Sequence, residues 1–374
     1  MKVEFFKHNI SQKEISLVTK TLKSTFLSTG PQTSEFEKKF SKFLNVKNTI
    51  GVSSWTMGSL ISLKCLGIKE KDEIITTPLT FVATSNTIIQ SGAKPIFVDV
   101  EAKTGNINAK LIESKITKKT KAIFIVHLYG QMCDIKKIRK IADKYGLYLI
   151  EDCAHCIEGE RDKIKPGQIS DLAIFSFYAT KNITSGEGGA IVCRNDSLAK
   201  KIRIFRYHGI QRYSSNKNDF QHWDLEEIGF KCNMNDIQAS MLIPQIDSIN
   251  KNLKRREKVF SNYAKGLKNI TGVKFFERLP TTKHARHIFT ITVDKEIRDR
   301  LVKFMQSNGI GVTINYRIVT DLNYYKKRFK SSDFPIAKKI GDSTLTLPFY
   351  PSLKNKEQNY VIETLKKGIK NFSC

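Results

Sequence analysis

The 374-residue sequence contains no stretch approaching the roughly 18 uninterrupted apolar residues that a membrane-spanning helix needs. Its opening, "MKVEFFKHNISQKEISLV", has no apolar core followed by small residues. A soluble, cytoplasmic protein with no membrane partner is expected. A disulfide framework is also absent, because the seven cysteines are odd in number and scattered through a long chain, which reads as free thiols. Neither a low-complexity block nor an internal repeat is present, so disorder is confined to the termini. Acidic residues are in deficit, 36 against 63 Lys and Arg, for a formal net charge of +27. Clustered cations would mark phosphate-backbone binding, but here the lysines are spread along the whole chain. The densest runs, "KITKKTK" and "KNLKRREK", read as solvated faces. With no basic zipper, zinc finger or glycine-aromatic RNA motif, no nucleic-acid partner is expected, and the charge is read as a general preference for anionic ligands.

What is present is a folded chain, 40% hydrophobic and 10% aromatic, long enough for two domains. From about residue 49 to 195, short apolar runs such as "TIGVSS", "EIITTP", "KPIFVDV", "KAIFIVHLYG" and "LYLIED" alternate with helical patterns such as "DIKKIRKIADKYG", where Ile135, Ile138, Ala142 and Tyr145 share a face. This alternation predicts an α/β fold with a mostly parallel sheet covered by helices, and chemistry at the carboxyl ends of the strands. A long helical pattern follows, "MNDIQASMLIPQIDSINKNLKRREKVFSNYAKGLKN", which Pro244 is expected to kink. Beyond it the segments "HIFTITVD", "KEIRDRLVKFMQSNG" and "GVTINY" read as a smaller α+β unit. The boundary is placed within the long helix, giving domains 1–245 and 246–374.

The stretch "EDCAHCIEG", residues 151–159, closes a buried strand. Cys153, His155 and Cys156 would need a fourth ligand to hold zinc, and no second compact Cys/His cluster is at hand. A redox pair would be better served at a helix start after a less acidic strand end. Small thiols packed beneath a site are the better reading, with no metal. Asp152 by itself could be a helix cap, but "AIFSFYATKNITSGEGGAIV", residues 173–192, runs a strand into Lys181 and a glycine-rich turn. A lysine among apolar and small residues is partly desolvated, and its amine becomes a nucleophile toward carbonyls. Pyridoxal phosphate chemistry requires such an amine together with a carboxylate that keeps the pyridine nitrogen protonated.

With these motifs and "STGPQTSEFEKKF", "SSWTMGSLISLKCLG", "DEIITTPLTFVATSNTI", "VHLYGQMCDI", "GFKCNMNDIQAS" and "STLTLPFYP", the chain resembles the DegT/DnrJ/EryC1/StrS family of pyridoxal phosphate-dependent sugar aminotransferases over nearly its whole length. The resemblance implies the aspartate aminotransferase fold (fold type I), with Lys181 as Schiff-base lysine and Asp152 paired with the pyridine nitrogen. It also implies His155 at the cofactor's phenolic oxygen and Phe81 stacked on the ring. The phosphate falls to Thr56 and Met57, at a helix start that favours an anion, and to the Ser176 hydroxyl. Asn233 matches a position that reaches the phosphate from the neighbouring subunit, which implies a homodimer with shared active sites. Each has a plainer alternative: Thr56 as a cap, Ser176 as a strand hydroxyl, Phe81 as core.

By the same resemblance the reaction is a ping-pong transamination from L-glutamate to a nucleotide-linked keto-sugar, with pyridoxamine phosphate as the intermediate cofactor form. "KNITSGEGG" is similar to the version found in enzymes that aminate C4, so a 4-keto-6-deoxyhexose for surface polysaccharide such as O-antigen, or for glycan synthesis, is expected over a 3-keto-sugar. Trp55 departs from the pattern by its bulk. Asn315 and Thr320 stand where histidines are common and are expected on the sugar side, while His127 fits the family or is a structural strand-end residue. Two further readings are a dehydratase, which would carry His in place of Lys181, and a non-catalytic regulator that binds DNA.

Overall fold

A computed structural model describes residues 1–213, 222–225, 227–276 and 278–372. The main sheet has seven strands: β1 (Asn48–Val52), β2 (Glu73–Thr76), β3 (Lys94–Phe97), β4 (Thr120–Val126), β5 (Tyr148–Asp152), β7 (Leu172–Ser176) and β8 (Gly189–Cys193), in the order β1-β8-β7-β5-β4-β2-β3. The short β6 (Glu160–Arg161) lies outside it, paired with β12 (Thr282–Lys283). Only β8 runs against its neighbours, antiparallel to both β1 and β7. The carboxyl ends of the other six therefore emerge along one edge, and β8 starts there.

Both faces of this sheet are buried, which is why its strands read as continuous apolar runs. Successive side chains still alternate between faces. Phe124, Ile150, Leu172, Ile174 and Ile191 join one core with α3 (Trp55–Cys65) and α6 (Asp196–Phe205). Ile123 and Leu149 join another with α5 (Ile135–Lys144), and Ala173, Phe175 and Val192 join a third with α2 (Pro31–Leu44) and α7 (Asp236–Leu267). The same alternation sends Asp152 to the face of Ile150 and Glu151 to the opposite face.

Around this frame lie α1 (Gln12–Leu22), α4 (Ala83–Gln90) and the hairpin β9 (Ile210–Tyr213) and β10 (His222–Leu225). The C-terminal part holds the antiparallel sheet β11 (Lys274–Phe275), β13 (Phe289–Thr292) and β14 (Thr344–Leu347), together with α8 (Lys295–Ser307), α9 (Pro335–Ser343) and α10 (Asn355–Phe372). Helix α7 passes continuously through Pro244, so the expected boundary at 245/246 falls inside a single element. The C-terminal core also takes in the other end of the chain. Val3 bridges to Ile310 and packs with Tyr263, Phe289, Leu301 and Leu345.

Candidate active site

The strand ends build one cavity of about 400 Å³, within the usual range for small-molecule sites. Thr56, Phe81, Asp152, His155, Ser176 and Lys181 all line it. Each lies at or just beyond the end of a strand that stops at the same edge, so residues far apart in sequence converge.

After β1, Ser54 caps α3: its Oγ accepts from the Met57 N–H at 3.1 Å. Met57 is thus already engaged at the helix start and is not on the cavity wall, although Thr56 is. Trp55 is accommodated in the core. Its indole lies over Phe124 with centroids 6.1 Å apart, and its Nε1–H donates to the Ile174 carbonyl at 3.1 Å. The last glycine of "GEGG", Gly189, has a steric reason: a Cβ there would stand 2.7 Å from the Ser54 and Trp55 backbone. Only glycine lets β8 pass under the start of the helix.

Asp152 is buried and aims into the cavity, with Oδ1 accepting from Ala154 N–H at 3.0 Å and Oδ2 from Thr84 Oγ1 at 2.9 Å. Burial raises its carboxyl above the usual range, and these two donors, with Lys181, oppose the shift. Burial also pushes the Lys181 amine down to about 8, against the pull of Asp152. A substantial fraction of the lysine is therefore neutral and nucleophilic near physiological pH.

His155 does not converge with the cysteines. The Cys153 thiol points to the Glu151 carbonyl and the Cys156 thiol to that of Gly130. His155 instead accepts at Nδ1 from the Tyr129 N–H at 3.3 Å, has Nε2 3.0 Å from the Tyr316 hydroxyl, and stacks on His287 at 4.4 Å. Burial holds both imidazoles well below their usual range, so both are neutral. On the opposite face, His127 Nε2 meets Glu151 Oε2 at 2.6 Å, and Glu151 also accepts from Gly167 N–H and the Ser170 hydroxyl. His127, Glu151 and Cys153 lie close enough to suggest a metal, but these hydrogen bonds already occupy His127 and Glu151. His127 is the structural strand-end residue of the two readings.

Asn233 lies outside the cavity, partly buried, with its amide donating to Thr29 Oγ1 at 2.5 Å. Thr320 corrects an expectation: it is fully buried, it accepts from the Ser331 hydroxyl at 3.0 Å, and it does not line the cavity, whereas Asn315 does. Sequence reasoning missed Thr84 and Tyr316. Thr84 stands one helical turn after Phe81 in "TFVATSN", a spacing that puts both near the same edge. Tyr316 carries no such signal, because its segment reaches the cavity from the C-terminal part of the chain.

A partly neutral amine, a buried carboxylate able to pair with a ring cation, and a helix start suited to an anion are the groups that pyridoxal phosphate requires. The sequence pattern of the DegT/DnrJ/EryC1/StrS aminotransferase family matches residues 8–366. The spore coat polysaccharide biosynthesis protein SpsC of Bacillus subtilis is 37% identical over 373 residues, covering 96% of this chain and 95% of that protein. Spr1654 of Streptococcus pneumoniae, assigned as a sugar aminotransferase, superposes in its pyridoxamine phosphate form with TM-score 0.94 at 27% identity, over 99% of this chain and 100% of that one. Its pyridoxal phosphate form gives 0.93. Helicobacter pylori PseC, an aminotransferase involved in pseudoaminic acid biosynthesis, superposes with TM-score 0.93 at 25% identity over 100% of both chains. The chain belongs to the DegT/DnrJ/EryC1/StrS aminotransferase family: it has the fold type I architecture and is a pyridoxal phosphate-dependent sugar aminotransferase.

Proposed function

We propose that the enzyme moves an amino group from L-glutamate to C4 of a nucleotide-linked 4-keto-6-deoxyhexose, supplying an aminosugar for surface polysaccharide or glycan synthesis. The observation that carries this reading is the meeting of Lys181 and Asp152 in one cavity at the strand ends. The sugar position is supported by the form of "KNITSGEGG", and the polysaccharide role by likeness to SpsC.

When bound, pyridoxal phosphate supplies an electron sink conjugated to the amino group being moved. Lys181 Nζ would hold the cofactor, and as a base it would take the proton from Cα of the amino donor and in the second half-reaction return one to the sugar carbon. Asp152 keeps the ring nitrogen protonated. Phe81 would cover one ring face, and Thr56 and Ser176 would orient the phosphate, Met57 being taken up by Ser54, with Asn233 reaching it from a second copy. That role for Asn233 rests on a homodimer. Exposed apolar side chains in its support are Phe26, Leu27, Trp223, Leu225 and Ile228. We take 1–245 as the cofactor domain and 246–374 as the smaller domain. No helix among the described residues is long and apolar enough to cross a membrane. The described cysteines are all free, which suits the reducing cytoplasm.

The test is the visible spectrum of the cofactor-loaded protein before and after L-glutamate, repeated on Lys181→Ala. A band that shifts to the pyridoxamine form only in the wild type supports the first half-reaction, and a screen of nucleotide-linked keto-sugars then reads the acceptor. A loaded wild type that L-glutamate leaves unchanged would rule out that donor.

A further inference from the structure

Tyr316 lines both the main cavity and an adjoining pocket of about 60 Å³ that also touches Lys181 and His287. Its hydroxyl lies 3.0 Å from His155 Nε2. Which atom donates follows from the other side of the imidazole. The Tyr129 N–H can only donate, so His155 Nδ1 is the acceptor in their 3.3 Å contact. A neutral imidazole with a lone pair on Nδ1 carries its hydrogen on Nε2. Tyr316 therefore cannot donate to His155, and its own hydrogen must go elsewhere. Among the described residues no acceptor is in hydrogen-bonding geometry with it. Even the adjacent Asn315 Oδ1, itself buried, has no partner.

The main chain beside Tyr316 is held in place. The Asn315 carbonyl accepts from the Tyr129 hydroxyl and, at 3.0 Å, from Thr344 Oγ1. The result is that His155 Nε2–H donates to Tyr316 Oη across 3.0 Å, and the Tyr316 hydrogen is left facing a cavity whose polar lining includes Lys181, Asp152, Ser176 and Glu187. A hydroxyl that accepts from an imidazole and keeps its own hydrogen unpaired is a ready donor to an oxyanion.

Resting on the assignment of Lys181 as the cofactor's lysine, we propose that Tyr316, held by His155, donates a hydrogen bond to the phenolic oxygen of the bound cofactor. A phenolate that accepts from Tyr316 pulls less on the proton of the Schiff base beside it, so the hydroxyl sets the pH at which that proton is lost. The titratable groups around Tyr316 are His155, Asp152, Lys181, His287 and Tyr129, with Glu187 and Tyr178 on the same cavity wall. Burial, followed by Tyr129 and Asp152, holds the Tyr316 phenol well above its usual range, so it stays a donor throughout such a titration.

The experiment follows the visible band of the cofactor-loaded enzyme against pH, with no substrate present. Tyr316→Phe should move the midpoint of proton loss up by about one pH unit. Tyrosine replaced at 316 by 3,5-difluorotyrosine keeps the shape, strengthens the donor and should move the midpoint down. An unshifted midpoint in Tyr316→Phe overturns the proposal. Should Tyr316→Phe fail to take up cofactor, an unshifted midpoint in the fluorinated protein overturns it equally. Lys181→Ala separates this proposal from the assignment beneath it: a band retained there sinks both, whereas a band lost there with no shift at 316 sinks the Tyr316 role alone.

Discussion

Thr84 Oγ1 donates to Asp152 Oδ2 across 2.9 Å, tying the start of α4 to the end of β5. Because Asp152 is buried, this hydroxyl opposes the desolvation that would otherwise neutralise the carboxyl. It also fixes which oxygen lone pairs remain for a ring nitrogen. Thr84→Val keeps the volume and removes the donor. A lost bond to a charged group costs about 1.5–3 kcal/mol, so kcat should fall roughly 10- to 100-fold with cofactor absorbance retained. Thr84→Ser should recover most of it, and steady-state rates normalised to bound cofactor are the check.

The depressed Lys181 amine sets a pH signature. Its neutral form attacks the aldehyde, and its protonated form does not. Capture of pyridoxal phosphate by the apoprotein should therefore speed up as pH rises and level off above about 8. A lysine at its ordinary value of 10.5 would keep accelerating well beyond that. Asp152 raises the amine's value, so Asp152→Asn should move the inflection lower. Stopped-flow absorbance reads both.

Trp55 makes a sharper stability prediction than its place by the cavity suggests. The indole is 7% exposed, stacks on Phe124 and hydrogen-bonds the strand beneath it. Trp55→Ala should cost about 3–5 kcal/mol through lost burial and the cavity left behind. Trp55→Phe should cost less, because it keeps the ring. Thermal melts with and without pyridoxal phosphate would show the loss in both conditions.

Trp223 at 67% and Ile228 at 85% exposure are large apolar groups facing solvent in the single chain. If a second copy covers them, Trp223→Glu with Ile228→Glu should convert a dimer to a monomer in sedimentation velocity. Activity should fall with the dimer fraction. A monomeric double variant with full activity would argue against a shared site.

Much of the site was legible because the chemistry sits where strands end, and strand ends are visible as apolar runs closing on polar residues. "LYLIED" delivers Asp152, and "AIFSFYATK" delivers Lys181 a short turn later. The two carboxylates of "IED" look alike in sequence, yet pleat alternation puts Asp152 in the cavity and Glu151 against His127. Thr320 and Tyr316 lie in one short stretch, and only tertiary packing sends the first into the core and the second to the cavity. Helix α7 likewise serves two cores, Ile243 and Ile249 joining one and Val259, Tyr263 and Leu267 the other, and nothing in its periodicity marks which turn serves which.

The pairing of Val3 with Ile310 bears on how the molecule is made. Val3 leaves the ribosome long before its partner strand and the core it completes have been synthesised. Until then Val3 has no partner at Ile310. Contacts so distant in sequence close slowly and late. The finished enzyme is therefore stitched shut at a place where an earlier-made and a later-made segment meet.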